Sequence, residues 1–77
     1  MTPDALRQSL RELDGTRDIT FVFAGMPPHE STLHLHNAML IPDEPDHLVK
    51  VTDGKSVYIV TPDRIIWIKI GLKVQVT

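Results

Sequence analysis

The chain has 77 residues, which is room for one small domain, residues 1–77, and not for a second independent core. It is 42% hydrophobic and 23% charged, which excludes a disordered polyelectrolyte, and a formal charge of −2 excludes a surface that grips nucleic acid everywhere. No apolar run reaches the roughly 20 residues of a membrane span, no basic-then-apolar start marks a signal peptide, and the absence of cysteine removes disulfides, thiolate zinc sites and cysteine nucleophiles.

A chain this short buries only about 60% of the surface it exposes unfolded, so help from self-association, a partner or a metal is expected. The first element is a helix over about 3–14. Thr2 suits the cap, Pro3 the first helical position and Asp4 the positive end of the helix dipole. Leu6, Leu10 and Leu13 recur at steps of four and three and form one apolar stripe, and Gly15 suits the stop. Arg7, Arg11 and Glu12 fall largely outside that stripe.

Five strands follow, at about 19–25, 31–41, 47–52, 55–61 and 64–76. The first is β-branched and aromatic from Ile19 to Ala24, and Pro27 and Pro28 end it. The acidic stretch Pro42-Asp43-Glu44-Pro45-Asp46 reads as a loop, and Asp53-Gly54 between apolar runs signals a tight hairpin. Strands so closely spaced, with no helix between them, pair mostly antiparallel. The fold class is therefore mainly β, with one N-terminal helix.

Alternation along the last strand puts Ile66, Ile68, Ile70, Leu72, Val74 and Val76 on a core face. The other face begins with Ile65 and Trp67, which are costly to leave in water, and Tyr58 beside Val57 and Ile59 poses the same problem. Either the short helix or another chain must cover them. In the second strand Leu33, Leu35, Met39 and Ile41 face one way and His34, His36, Ala38 and Leu40 the other, with Asn37 interrupting the first set, either as a buried residue hydrogen-bonded to a turn or bulge or as a ligand contact.

A short helix followed by five antiparallel strands resembles the Sm-like fold. The run Leu33-His34-Leu35-His36-Asn37-Ala38 is similar to the first Sm motif, and Val57-Tyr58-Ile59-Val60-Thr61-Pro62-Asp63-Arg64-Ile65-Ile66-Trp67-Ile68 resembles the second. The resemblance implies a strongly bent sheet forming a small Sm-like or SH3-like barrel. It also implies a ring built by edge-strand pairing, which would bury Tyr58, Ile65 or Trp67 against a neighbouring subunit. The family's RNA-binding members carry Arg-Gly or Lys-His in the last turn, where this chain has Thr61-Pro62-Asp63-Arg64.

Three functional readings follow. The first is a non-enzymatic binding or assembly module acting as a homo-oligomer in the cytoplasm, with no membrane partner and no cofactor. The second is RNA binding. Residues 1–49 carry a net −5 and residues 50–77 a net +3, and Arg64, Lys69 and Lys73 share the basic end with Trp67 and Tyr58. A solvated strand face with lysines that discourage edge pairing is the plainer account of those charges. The third is a divalent metal at His34 and His36, two apart on a strand and so on one face, with His29 and Glu30 as added ligands and His47 beyond the acidic loop. Two adjacent surface histidines are the plainer account of that pair. Asp43, Glu44 and Asp46 lack the glycine and distal glutamate of a helix–loop–helix calcium site and read as a solvated loop. No Gly-x-Ser-x-Gly elbow surrounds Ser9, Ser31 or Ser56, and no phosphate loop is present.

Overall fold

A computed structural model describes residues 1–72. Helix α1 spans Pro3–Ser9, followed by strand β1 at Asp14–Phe23, a 3-10 turn at Pro28–Glu30, β2 at Thr32–Leu40, β3 at Val49–Thr52, β4 at Val57–Val60, a second 3-10 turn at Pro62–Arg64, and β5 at Ile65–Ile70. The strands make one antiparallel sheet in the order β4-β3-β2-β1-β5. Among the described residues no helix is long and apolar enough to cross a membrane.

Thr2 caps α1 as its sequence position suggests, with Oγ1 accepting from the Ala5 amide at 3.1 Å. The helix nevertheless stops at Ser9, short of residue 14. The Leu10 amide still donates to Leu6, but Leu13 donates to Leu10 in a tighter turn, and at Asp14 the chain pairs with Met39. Tight turns through residues 10–13 replace the last helical turn before the sheet begins at Asp14. The leucine stripe is buried all the same, with Leu6 and Leu10 fully buried and Leu13 nearly so. Gly15 therefore lies inside β1, not at a helix end. Its φ of +88° is left-handed backbone that favours glycine, and it sits where β1 bulges between Asp14 and Arg17.

Two further bulges decide which residues face the core. In β2, Leu35 and Ala38 lie opposite Ile19 and Arg17, so three steps on β2 match two on β1. Asn37 is the extra residue, at φ +52°, and it is exposed where the alternation predicts burial. After it, Ala38 and Leu40 join Leu33 and Leu35 on the core side and Met39 turns outward. In β5, Phe23 pairs with Ile65 but Val22 with Trp67, which inserts Ile66 as an extra residue. Ile65, Ile68 and Ile70 pack on the core, while Ile66 is 61% and Trp67 51% exposed. Ile66 thus leaves the core face that strict alternation assigns to it, and Leu72 is exposed as well. Val74, Val76 and the rest of the last predicted strand lie outside the described residues.

The core joins Leu6, Leu10 and Leu13 to Ile19, Phe21, Leu35, Ala38, Val49, Val51 and Val60. Helix α1 packs against β3 on this face. It does not cover the outward face that carries Trp67. β4 and β5 are consecutive in the chain but stand at opposite edges of the sheet. In a flat sheet, four spacings would separate them by roughly 19 Å. The Thr61–Arg64 link contains a turn that advances only about 2 Å per residue and spans roughly 12 Å, so the sheet curls. Among the described residues no ladder joins β4 to β5, and the sheet stays open.

The hairpin at Asp53-Gly54 is wider than a two-residue turn. Thr52 pairs with Val57 across a loop at 53–56, and only Gly54 takes positive φ. Asp53 holds the loop by accepting from the Lys55 and Ser56 amides, both at 2.9 Å. The acidic loop at 42–46 is likewise tied down. Lys50 Nζ lies 2.7 Å from both Glu44 and Asp46, and Arg7 reaches Asp43 at 3.0 Å. Arg7 also donates to the His47 carbonyl at 2.6 Å. These cations use the carboxylates that a calcium site would need; Arg7 fastens α1 to the loop and Lys50 fastens β3 to it. Arg7→Ala leaves the His47 and Leu48 carbonyls without that donor. It is expected to cost about 1–2 kcal/mol, read as a lowered urea midpoint with an unchanged slope.

These contacts also set a pH dependence. The Lys50 ammonium and the Leu48 amide hold Asp46 below the usual carboxylate range, and the Lys55 and Ser56 amides do the same for Asp53. A carboxyl whose folded pKa is depressed stabilises the fold above its unfolded pKa and loses that effect as pH falls through the folded value. The melting temperature should therefore be level near neutrality and fall from about pH 5 downward. Asp53→Asn should flatten part of that acid limb; an unaltered limb would mean Asp53 has no such role. Lys50 is shifted upward by Asp46 and Glu44, so its contribution holds at neutral pH and is lost only in strong alkali.

Candidate functional site

Two regions of the surface carry the residues with chemical potential. The first is the outward face of β1 and β2. Cross-strand pairing places Thr20 beside His34, and the β2 bulge brings the amide of Asn37 to Asp18 Oδ1 at 3.3 Å. That bond turns the other carboxylate oxygen toward the two histidines. Asp18 Oδ2 lies 3.1 Å from His36 Nδ1 and 4.0 Å from His34 Nε2. The imidazole rings meet edge to face with centroids 4.7 Å apart. His34 Nδ1 is 2.7 Å from the hydroxyl of Thr20, which is only 7% exposed. The Asn37 amide, more than His36, holds the Asp18 carboxyl below its usual range. The face keeps an anion beside two rings that can carry a proton or ligate a cation.

His34 and His36 therefore do share a face, as their spacing predicts. The further ligands suggested by sequence do not join them. His29 pairs with Glu30 at 3.7 Å in the 3-10 turn, and His47 pairs with Asp43 at 3.3 Å in the acidic loop. Asp18 takes the third place. It stands one residue before the apolar run from which β1 is legible, and only the register against β2 brings it to His36.

The second region is the pair of sheet edges. Tyr58 on β4 is half-buried against the core, with its hydroxyl 3.5 Å from Asp53. Ile65 also packs on the core. Trp67 stands half-exposed on β5. Since β4 does not pair with β5, Tyr58 and Trp67 lie on opposite edges and not on adjacent strands. Beyond them, Val57 and Ile59 on β4 and Ile66 on β5 are 58–61% exposed.

The basic residues are dispersed. The Arg64 guanidinium lies 3.0 Å from where a side chain would stand on Gly25, at the rim of a groove of about 330 Å³ that Met26 and Ile59 also line. Lys69 is opposite Thr20, five residues further along β5 and roughly 15 Å away at strand spacing. Lys73 lies outside the described residues. Comparison of the chain with protein-family models, with curated proteins and with solved structures returns no match.

Proposed function

We propose that this chain is a non-enzymatic assembly module that works as a homo-oligomer, with the β4 edge of one copy adding to the β5 edge of the next. The observation that carries this is the pair of edges left open among the described residues on one curled sheet, each with apolar side chains in water: Val57 and Ile59 on β4, Ile66 and Trp67 on β5. An unpaired strand edge offers a row of backbone donors and acceptors to another chain, and apolar flanks add a hydrophobic drive. A second copy is the favoured occupant because one molecule supplies both edges, so head-to-tail pairing satisfies both at once and closes if the rotation permits. The resemblance to the Sm-like fold implies a barrel and a ring of this kind. Trp67 and Ile66 form the contact on one side and Ile59 on the other, while Tyr58 and Ile65 support the edges from within.

RNA binding has less support, because Arg64 and Lys69 stand apart and the two aromatic residues occupy different edges. Light scattering on a sizing column tests the assembly. A mass that is a small closed multiple of 8.7 kDa, stable on dilution, is expected. A single-chain mass at all concentrations overturns it.

A further inference from the structure

We propose that Asp18, His34 and His36 form a binding site for a divalent transition-metal ion of the zinc class, independent of the assembly of copies. Each residue offers one ligand atom, and the three atoms lie within 4.8 Å of one another. Around an ion held at about 2.1 Å by nitrogen and oxygen, tetrahedral ligand atoms are about 3.4 Å apart. The separations of 3.1 Å and 4.0 Å from Asp18 Oδ2 bracket that value. Small side-chain rotations, with no backbone movement, bring the three atoms onto one ion.

The surroundings are those a metal ligand set needs. Metal-bound imidazoles usually donate their second N–H to a partner that fixes the tautomer. Thr20 Oγ1 lies 2.7 Å from His34 Nδ1 and, in the tautomer with the proton on Nδ1, accepts it and leaves the Nε2 lone pair directed at Asp18. A cation standing between that lone pair and the carboxylate oxygen favours this tautomer. The Asn37 amide occupies the other oxygen of Asp18, so Oδ2 is the one presented to the ion. All three ligands stand on paired strands, two of them on β2 and the third opposite across a bulge whose geometry sets its direction. This is firmer support than loop ligands receive.

The donor set also sets the class of ion. Two imidazole nitrogens and one carboxylate suit zinc, nickel, cobalt or copper, whereas magnesium and calcium prefer oxygen throughout. The side chains are 45–74% exposed, which leaves the remaining coordination positions to water.

Calorimetric titration of the full chain with zinc ion at neutral pH tests the site. One ion per chain is expected. His36→Gln and Asp18→Asn should each weaken binding at least tenfold, while His29→Gln and His47→Gln bind as the parent does. Magnesium should give no heat. Far-UV circular dichroism without metal shows whether each variant is folded. Should Asp18→Asn fail to fold, His36→Gln alone decides, since that side chain is 74% exposed and its loss leaves the core intact. No zinc heat overturns the site, as does equal weakening by His29→Gln or His47→Gln, which would mark binding by surface histidines at large.

Discussion

Phe21→Ala is expected to bring the chain to the margin of unfolding. The Phe21 ring is fully buried and stacks on Phe23 with centroids 6.0 Å apart. On either side, β1 pairs Phe21 with Leu33 of β2 and Ile68 of β5. Removing a buried phenylalanine ring costs about 3–5 kcal/mol, from lost transfer energy and the cavity left behind. A domain of this size holds only about 4–12 kcal/mol in total. Urea unfolding followed by circular dichroism, at one fixed protein concentration, should show the midpoint reduced by a third or more. Lys55→Ala, in the exposed hairpin loop, is the control, and should change stability by about 0.5 kcal/mol or less. A Phe21→Ala loss below about 1 kcal/mol would show that Phe21 does not sit at the centre of the core.

The second large effect is on assembly. Ile59→Asp and Trp67→Asp should each reduce the mass in solution to that of the 8.7 kDa chain, with the circular dichroism spectrum kept. In one copy both side chains are half-exposed or more, so a carboxylate there remains hydrated and costs little. In an edge-to-edge pair the same carboxylate is stripped of water without a partner, at a cost of several kcal/mol. One charge at either edge is enough, because head-to-tail pairing uses each edge once per copy. Lys55→Asp, in the exposed hairpin loop, should leave the mass unchanged. An oligomer that survives both edge variants would place the contact elsewhere on the surface.

The legible parts of the fold were those with a local cause. Cap chemistry at Thr2 and Pro3 needs only neighbouring atoms, and it marks the start of α1 correctly. The β-branched and aromatic runs are strands because their side chains suit a pleated surface. What local pattern could not show was where alternation breaks. Strict period-two counting buries Ile66 and Asn37, yet both are exposed, because each is the extra residue of a bulge, where the alternation breaks. A bulge is set by the partner strand, so its position is a property of two segments together. The helix is also shorter than its leucine stripe, since after Ser9 the chain turns through residues 10–13 before β2 pairs with it at Asp14.

The candidate metal centre divides along the same line. The sequence alone determined that this is one small, mainly β domain with an N-terminal helix, and that His34 and His36 project from one face, because those features rest on composition, capping and the two-residue strand repeat. Only the tertiary structure decided that Asp18 completes the cluster while His29 and His47 pair elsewhere, that among the described residues the sheet is open with β4 and β5 at its edges, and that Ile66 and Trp67 face water together. Each of these follows from the register between strands, which is settled by burying Phe21 and Ile19 against the leucines of α1 and β2. Burial is a sum over the whole chain, and no single segment carries it.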